Sequence, residues 1–113
     1  MNPAIHALIN IGIALLIGGF SVPLIRRRVP MNKTYGVRFP QSFQSDEAWY
    51  RINVFGGKCL FAASVAILLV GIYGLIDPPS FYVPLGSAVM LGSIGIACLV
   101  SYLQARKVGR ELG

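Results

Sequence analysis

The side chains of this sequence that could bind a ligand or move a proton are few and lie far apart along the chain. His6, the single histidine, comes four residues before Asn10, so the two side chains share a face if this segment is helical. A histidine can titrate near neutral pH and bind a ligand. Close to a membrane surface, water and lipid headgroups would instead satisfy both polar groups, and the sequence is compatible with either interpretation.

The acidic residues and the thiols form no catalytic or metal-binding pattern. General acid–base catalysis needs titratable groups held close together. The four carboxylates are instead scattered outside the apolar segments, at Asp46, Glu47, Asp77 and Glu111. Cys59 and Cys98 lack the further cysteine or histidine ligands that complete a zinc site, and we interpret them as packing residues. We therefore predict that the protein is not an enzyme and holds neither a metal nor a cofactor.

Three long apolar segments must position these side chains. The 113-residue chain is 55% apolar and only 12% charged, whereas soluble domains carry about 25% charged residues. The segments cover residues 5–25, 54–76 and 81–103, and each is close to the roughly 20 residues that span a bilayer as a helix. The sequence predicts an all-α integral membrane protein with three transmembrane helices in one membrane domain, residues 1–113. Because basic residues follow the first segment and none precedes it, we expect no cleaved signal peptide.

The basic residues predict the orientation. All ten lie between residues 26 and 58 or between residues 106 and 110, and such residues are retained on the cytoplasmic side. We expect the N-terminus outside, a cytoplasmic loop at about 26–53 and a cytoplasmic tail at 104–113. This placement accounts for the net charge of +6 without nucleic acid. Arg26, Arg27 and Arg28 are expected to bind anionic headgroups.

Small residues four apart favour close contact between transmembrane helices. This spacing joins Ala14 with Gly18, Ala62 with Ala66, Ala88 with Gly92, and Ser93 with Ala97 and Ser101. It predicts a tight three-helix bundle or an oligomer. The sequence is compatible with both.

The segment between the first two spans is too long for a simple turn and too aromatic for a flexible tether, so we expect an ordered loop against the membrane surface. Ser45, followed by two acidic residues, predicts a helix start, and this helix would continue into the second span. Trp49, a residue typical of the headgroup region, and Asn53 would share a face of that helix. The pair Gly56 and Gly57 could bend it.

Arg38 is a basic residue of this loop for which the sequence allows more than one partner. It could reach a lipid phosphate, or it could pair with Asp46 or Glu47. The loop as a whole could also act as an ordered cap that closes the bundle. The sequence leaves these alternatives open.

Five loop residues in order along the chain resemble the signature loop of the SdpI family of bacterial membrane proteins. The family pattern is an Asn and a Gly four apart, an Arg two residues later, a Ser/Thr-rich spacer, and a Trp with Asn or His four residues on. The matching positions are Asn32, Gly36, Arg38, Trp49 and Asn53. The resemblance implies a small inner-membrane protein and makes these five residues a predicted functional loop.

Named members of the SdpI family look like immunity proteins that protect a producing cell from its own secreted peptide toxin. In that system the immunity protein also sequesters a cytoplasmic repressor at the membrane. By that resemblance we expect a toxin-immunity or membrane receptor protein, with the external link at 77–82 as a possible contact surface. The alternative is an accessory subunit that binds another membrane protein. A pore lined by serine and backbone groups would require a homo-oligomer.

Overall fold

The computed structural model describes residues 2–112, which form three long helices and one short helix. The long helices are α1 (Pro3–Ile25), α2 (Asp46–Ile76) and α3 (Tyr82–Leu112), and a 3-10 helix, η1 (Pro40–Phe43), precedes α2. All three long helices are long and apolar enough to cross a membrane. The predicted all-α membrane fold is confirmed. The bundle has a loop end, which carries the loop at residues 26–45, and a far end, which carries the link at 77–81.

Local sequence sets the helix starts. The Asn2 side chain accepts a hydrogen bond from the Ala4 backbone N–H at 2.8 Å, and proline occupies the first turn of α1. The Ser45 hydroxyl accepts from the Ala48 N–H at 3.1 Å, with Asp46 and Glu47 in the first turn of α2. The helix start predicted at Ser45 is therefore confirmed.

α2 is the central helix, because it packs along both neighbours while α1 and α3 contact each other much less. Glycines allow the close approach. A Cβ added at Gly18 of α1 would lie 3.1 Å from the Ser64 hydroxyl, and one added at Gly57 of α2 would lie 3.1 Å from the Ser21 carbonyl oxygen. Gly56 likewise faces Ser101 of α3. α2 runs through Gly56 and Gly57 without interruption, so the pair does not break the helix.

Some of the predicted small-residue pairs pack against another helix, and others are exposed. Ala14 and Gly18 pack against α2, and Ala97 and Ser101 are buried on α3. In contrast, Ala88 is exposed, and a Cβ added at Gly92 would meet nothing within 4 Å. Within residues 2–112, no other helix covers the face of α3 that carries Ala88 and Gly92.

α2 and α3 extend beyond the predicted spans at the loop end. Each has 31 residues, which corresponds to about 46 Å of helix against a hydrocarbon thickness of about 30 Å. Residues 104–112, which we expected as a tail, are the last turns of α3. There the two helices share a buried apolar cluster to which the loop adds two side chains: Ala48, Ile52, Ala105 and Val108, with Val37 and Phe39 packed against them.

Candidate functional site

The loop crosses all three helices in a short crossing segment, residues 35–39. Tyr35 donates a hydrogen bond to the Phe20 carbonyl of α1, and their rings lie 6.0 Å apart. Val37 lies over α2, and the Phe39 ring packs 5.3 Å from Tyr102 of α3. Burial raises the pKa of the Tyr35 hydroxyl, which favours the protonated form that makes this hydrogen bond. The crossing segment thus ties the loop to the whole bundle.

Asn53 fixes the middle of the crossing segment. Its Oδ1 accepts from the Val37 N–H at 2.7 Å, and its Nδ2 donates to the Val37 carbonyl at 3.2 Å and to the Trp49 carbonyl at 2.9 Å. The amide therefore pairs with both polar groups of one peptide residue, as a neighbouring strand would. Asn53 is only 1% exposed, so water cannot replace these partners without opening the loop.

Gly36 gives the crossing segment its shape. Its φ is +116°, a conformation that side chains rarely adopt. A Cβ here would lie 2.6 Å from Asn53 Oδ1 and 3.2 Å from Trp49 Cζ2. Both the backbone conformation and the lack of space require glycine at this position.

Trp49 forms the floor beneath the loop. It is fully buried, its Nε1 donates to the Val29 carbonyl at 2.7 Å, and its ring lies 5.6 Å from that of Phe43. The loop covers the ring, so Trp49 does not face lipid directly, and its depth at the headgroup level stays a prediction. The predicted shared face with Asn53 is confirmed, since both side chains point into the loop.

Asn32 organises the turn before the crossing segment. Its Oδ1 accepts from the backbone N–H groups of Thr34 and Tyr35 at 2.9 and 2.6 Å, and its Nδ2 donates to the Pro30 carbonyl at 2.8 Å. An asparagine side chain that bonds the backbone two residues on stabilises a turn in this way.

Arg38 differs from the other four predicted loop residues because its side chain is exposed. Its guanidinium donates to the Lys33 carbonyl. The expected pairing with Asp46 or Glu47 is not formed. Within residues 2–112, the one ion pair joins Arg51 and Glu111 at 3.0 Å on the surface. Arg38 therefore presents a positive charge that no carboxylate of the described chain neutralises.

The three arginines expected at headgroups, Arg26, Arg27 and Arg28, are all exposed where α1 ends. Arg27 takes a positive φ of 58°, and its guanidinium lies 4.9 Å from the centre of the Tyr50 ring. Its charge is thus held beside the first turns of α2 by a cation–π contact.

The model of the SdpI/YfhL protein family matches residues 28–103. The chain belongs to this family. The resemblance carried by the loop residues is thereby confirmed, and the protein is a multi-pass membrane protein of the SdpI/YfhL family. The matched region contains nearly the whole loop, all of α2 and most of α3, and it leaves out α1. No curated protein and no solved structure matches the chain.

At the far end, the SdpI-family fold buries a second polar cluster. His6 Nε2 lies 3.1 Å from the Ser87 hydroxyl, and Asn10 Nδ2 donates to the Tyr82 hydroxyl at 3.2 Å. The Tyr82 hydroxyl in turn donates to the Val70 carbonyl at 2.9 Å. Of the two interpretations of His6 and Asn10, the one in which water and headgroups satisfy them is wrong, because both side chains are buried against the other helices.

Tyr82 was missed by sequence reasoning, which took the link at 77–82 as an exposed contact surface. The side chain is fully buried and packs onto Gly74 of α2. An aromatic residue at the end of a span is typical of the membrane interface. Its inward direction follows only from the packing of α3 against α2, so no local signal would have identified it.

Two grooves flank the crossing segment. One, of about 300 Å³, lies between α1 and α2 beside Tyr35. The other, of about 310 Å³, lies between the crossing segment, α2 and α3, and includes Arg38 and Cys98. Both cysteines are free, and Cys59 lines a different groove between α2 and α3.

Proposed function

We propose that this SdpI-family protein is a toxin-immunity or membrane signal-receptor protein of the bacterial inner membrane, and that it acts by binding. The observation that supports this most directly is the loop: Asn32, Gly36, Trp49 and Asn53 hold its backbone in one shape, and Arg38 is left exposed upon it. An ordered surface that presents an exposed positive charge without a carboxylate partner suits recognition of a partner molecule.

The orientation belongs to the same proposal. With the loop in the cytoplasm, as the positive-inside rule favours, Arg38 faces a soluble partner such as a repressor. The far end faces outward, where a secreted peptide toxin arrives. α2 runs unbroken from Trp49 to Gly74, so a displacement of α2 caused at the far end reaches the floor of the loop.

The direct test is survival of a toxin-sensitive bacterium that expresses the protein. Cells are challenged with secreted peptide toxins encoded near the gene, and membrane abundance is measured in parallel. We expect Arg38→Ala to keep normal abundance and to lose protection. Arg110→Ala is the matched control, because Arg110 is an exposed arginine at the loop end that lies outside the region matched by the family model.

Two outcomes would contradict the proposal. If the wild-type protein gives no protection against any of these toxins, the immunity function is wrong. If Arg38→Ala and Arg110→Ala lower protection equally, total positive charge is what matters and the loop surface is not a recognition site.

An accessory subunit of a larger membrane complex is the second candidate. The uncovered part of α3 favours it: Ala88 and Gly92 form a small-residue surface on which another transmembrane helix could pack closely. The test is purification in a mild detergent from native membranes. A defined partner that is lost in Gly92→Leu supports this function, whereas recovery of the lone chain contradicts it.

A further inference from the structure

The groove between the crossing segment, α2 and α3 has the chemistry of a lipid-binding site and room for part of one acyl chain. Its volume of about 310 Å³ lies at the lower end of the range for ligand pockets. The wall is formed by the loop and by two helices. Most of it is apolar, including Val37, Phe39, Leu60 and Ala97, whereas Ser101 is polar and Arg38 is the charged member.

The apolar wall suits a hydrocarbon chain. Leu60, Ala97 and Cys98 belong to the segments of α2 and α3 that lie within the predicted spans. Cys98 is exposed, so this side of the groove opens toward the bilayer. The Phe39 ring, packed on Tyr102, forms the wall nearest the end of the bundle. A chain that enters from the bilayer would therefore remove apolar surface from any water in the groove.

The charged member suits an anionic headgroup. Arg38 is exposed, and its guanidinium bonds the Lys33 carbonyl without meeting a carboxylate. A guanidinium matches phosphate oxygens by two parallel hydrogen bonds. The positive charge and the apolar groove lie side by side. An anionic phospholipid has a negative headgroup beside an apolar acyl chain, so its two parts match these two features.

We propose that this groove binds one anionic phospholipid, with its phosphate at Arg38 and an acyl chain along Leu60, Ala97 and Cys98. The site is separate from the arginines at the end of α1, one of which is held over Tyr50. It shares Arg38 with the surface to which the proposed function assigns partner recognition, but lipid binding requires only the bilayer as the source of its ligand and is measured without any toxin. A helix of another protein is too large for a groove of this volume.

The two cysteines provide an internal test. The purified protein in mild detergent is alkylated with N-ethylmaleimide while phosphatidylglycerol or phosphatidylcholine is added, and each cysteine is followed by mass spectrometry. We expect phosphatidylglycerol to slow alkylation of Cys98 about fivefold more than phosphatidylcholine. Both lipids carry a phosphate, but the choline cation of phosphatidylcholine cancels its negative charge, and about fivefold is the ratio that the attraction of one arginine to a net anionic headgroup gives. Cys59 is the control because it lines another groove, and its rate should not distinguish the two lipids.

Arg38→Gln should abolish the difference between the two lipids at Cys98, while Arg110→Gln should preserve it. Equal protection by both lipids, or an unchanged difference in Arg38→Gln, would overturn the proposal. Parallel slowing of Cys59 would do the same, because it would indicate general coverage by lipid. Protection by glycerol phosphate alone would show that the groove binds a free anion, which also contradicts a lipid site.

A second measurement covers the case in which Arg38→Gln fails to fold. Native mass spectrometry of the protein purified with phosphatidylglycerol should show one retained lipid. Cys98→Leu fills the groove and should lose that lipid, whereas Cys59→Leu fills the other groove and should keep it. Retention in both variants would overturn the proposal.

Discussion

Asn53→Ala tests whether one side chain holds the crossing segment onto α2. In the folded protein Asn53 Oδ1 and Nδ2 pair with the N–H and the C=O of Val37, at 2.7 and 3.2 Å. Alanine cannot form either bond, and the methyl group leaves the Val37 N–H and C=O facing an apolar helix surface. The bond from Trp49 Nε1 to Val29, nearer the start of the loop, is not altered. The effect should therefore be local opening of the crossing segment.

The magnitude follows from the two backbone groups that lose their partner. Leaving one buried polar group unsatisfied costs about 1–3 kcal/mol. For two groups that water can partly reach once the loop moves, we expect the opening free energy to fall by about 2–3 kcal/mol. This corresponds to an increase of about 30–150-fold in the population of the open loop.

Limited trypsin digestion of the detergent-purified protein measures this population. Lys33 and Arg38 lie in the loop, and cleavage tracks the open fraction when closing is faster than cleavage. The emission of Trp49, the single tryptophan, reports the same opening as a red shift. Asn10→Ala is the matched control, because Asn10 is an equally buried asparagine at the far end. It should destabilise the bundle without raising loop cleavage.

Two results would refute this reasoning. Unchanged cleavage after Lys33 in Asn53→Ala would mean that the crossing segment is held by other contacts. An equal rise in cleavage for Asn53→Ala and Asn10→Ala would mean that the loop opens only when the whole bundle does.

Three further substitutions test other contacts. Gly36→Ala should destabilise the loop by about 1–3 kcal/mol, because Gly36 has a positive φ and an added Cβ would clash with Asn53. The loss should appear as a red shift of tryptophan emission. Gly12→Ala is the control and should give no shift, because a Cβ there meets nothing within 4 Å. Tyr82→Phe leaves the Asn10 amide without its acceptor and should lower the free energy of unfolding in detergent by about 1–2 kcal/mol; a change below the error of the measurement would contradict the buried network. Arg51→Ala removes the exposed ion pair and should change that free energy by less than about 1 kcal/mol, and a larger loss would show that the pair does more than its exposure suggests.

Sequence reasoning predicted the features that depend on neighbouring residues. The helix that begins after Ser45 carries its own cap and acidic first turn, so it could be identified from the sequence alone. The shared face of Trp49 and Asn53 followed from helical spacing in the same way. The partners of these two side chains did not, because Val29 and Val37 come 20 and 16 residues earlier in the chain and reach α2 only through the path of the loop.

At the far end, too, the sequence did not predict which partners the polar side chains contact. From the sequence, His6 and Asn10 lie near the start of a span, where a polar group can face water. The structure turns both inward, because Gly86 of α3 lets the helix approach them closely: an added Cβ would lie 2.9 Å from Asn10 Nδ2. Whether a polar face meets water or another helix depends on helix rotation, which a single amphipathic pattern does not determine when the surrounding solvent is lipid.

The polar cluster around Tyr82 and the groove beside Arg38 lie at opposite ends of the same helix, α3. At the far end, the Tyr82 hydroxyl of α3 bonds the Val70 carbonyl of α2. At the loop end, Ala97 and Ser101 of α3 form the wall that faces the crossing segment. The same Tyr82 hydroxyl accepts from Asn10 of α1, so a ligand that displaced the Tyr82 side chain would break the bonds of α3 to both neighbours at once and would allow α3 to tilt. The groove beside Arg38 would then change width, so far-end binding and lipid occupancy of the groove should be coupled through α3.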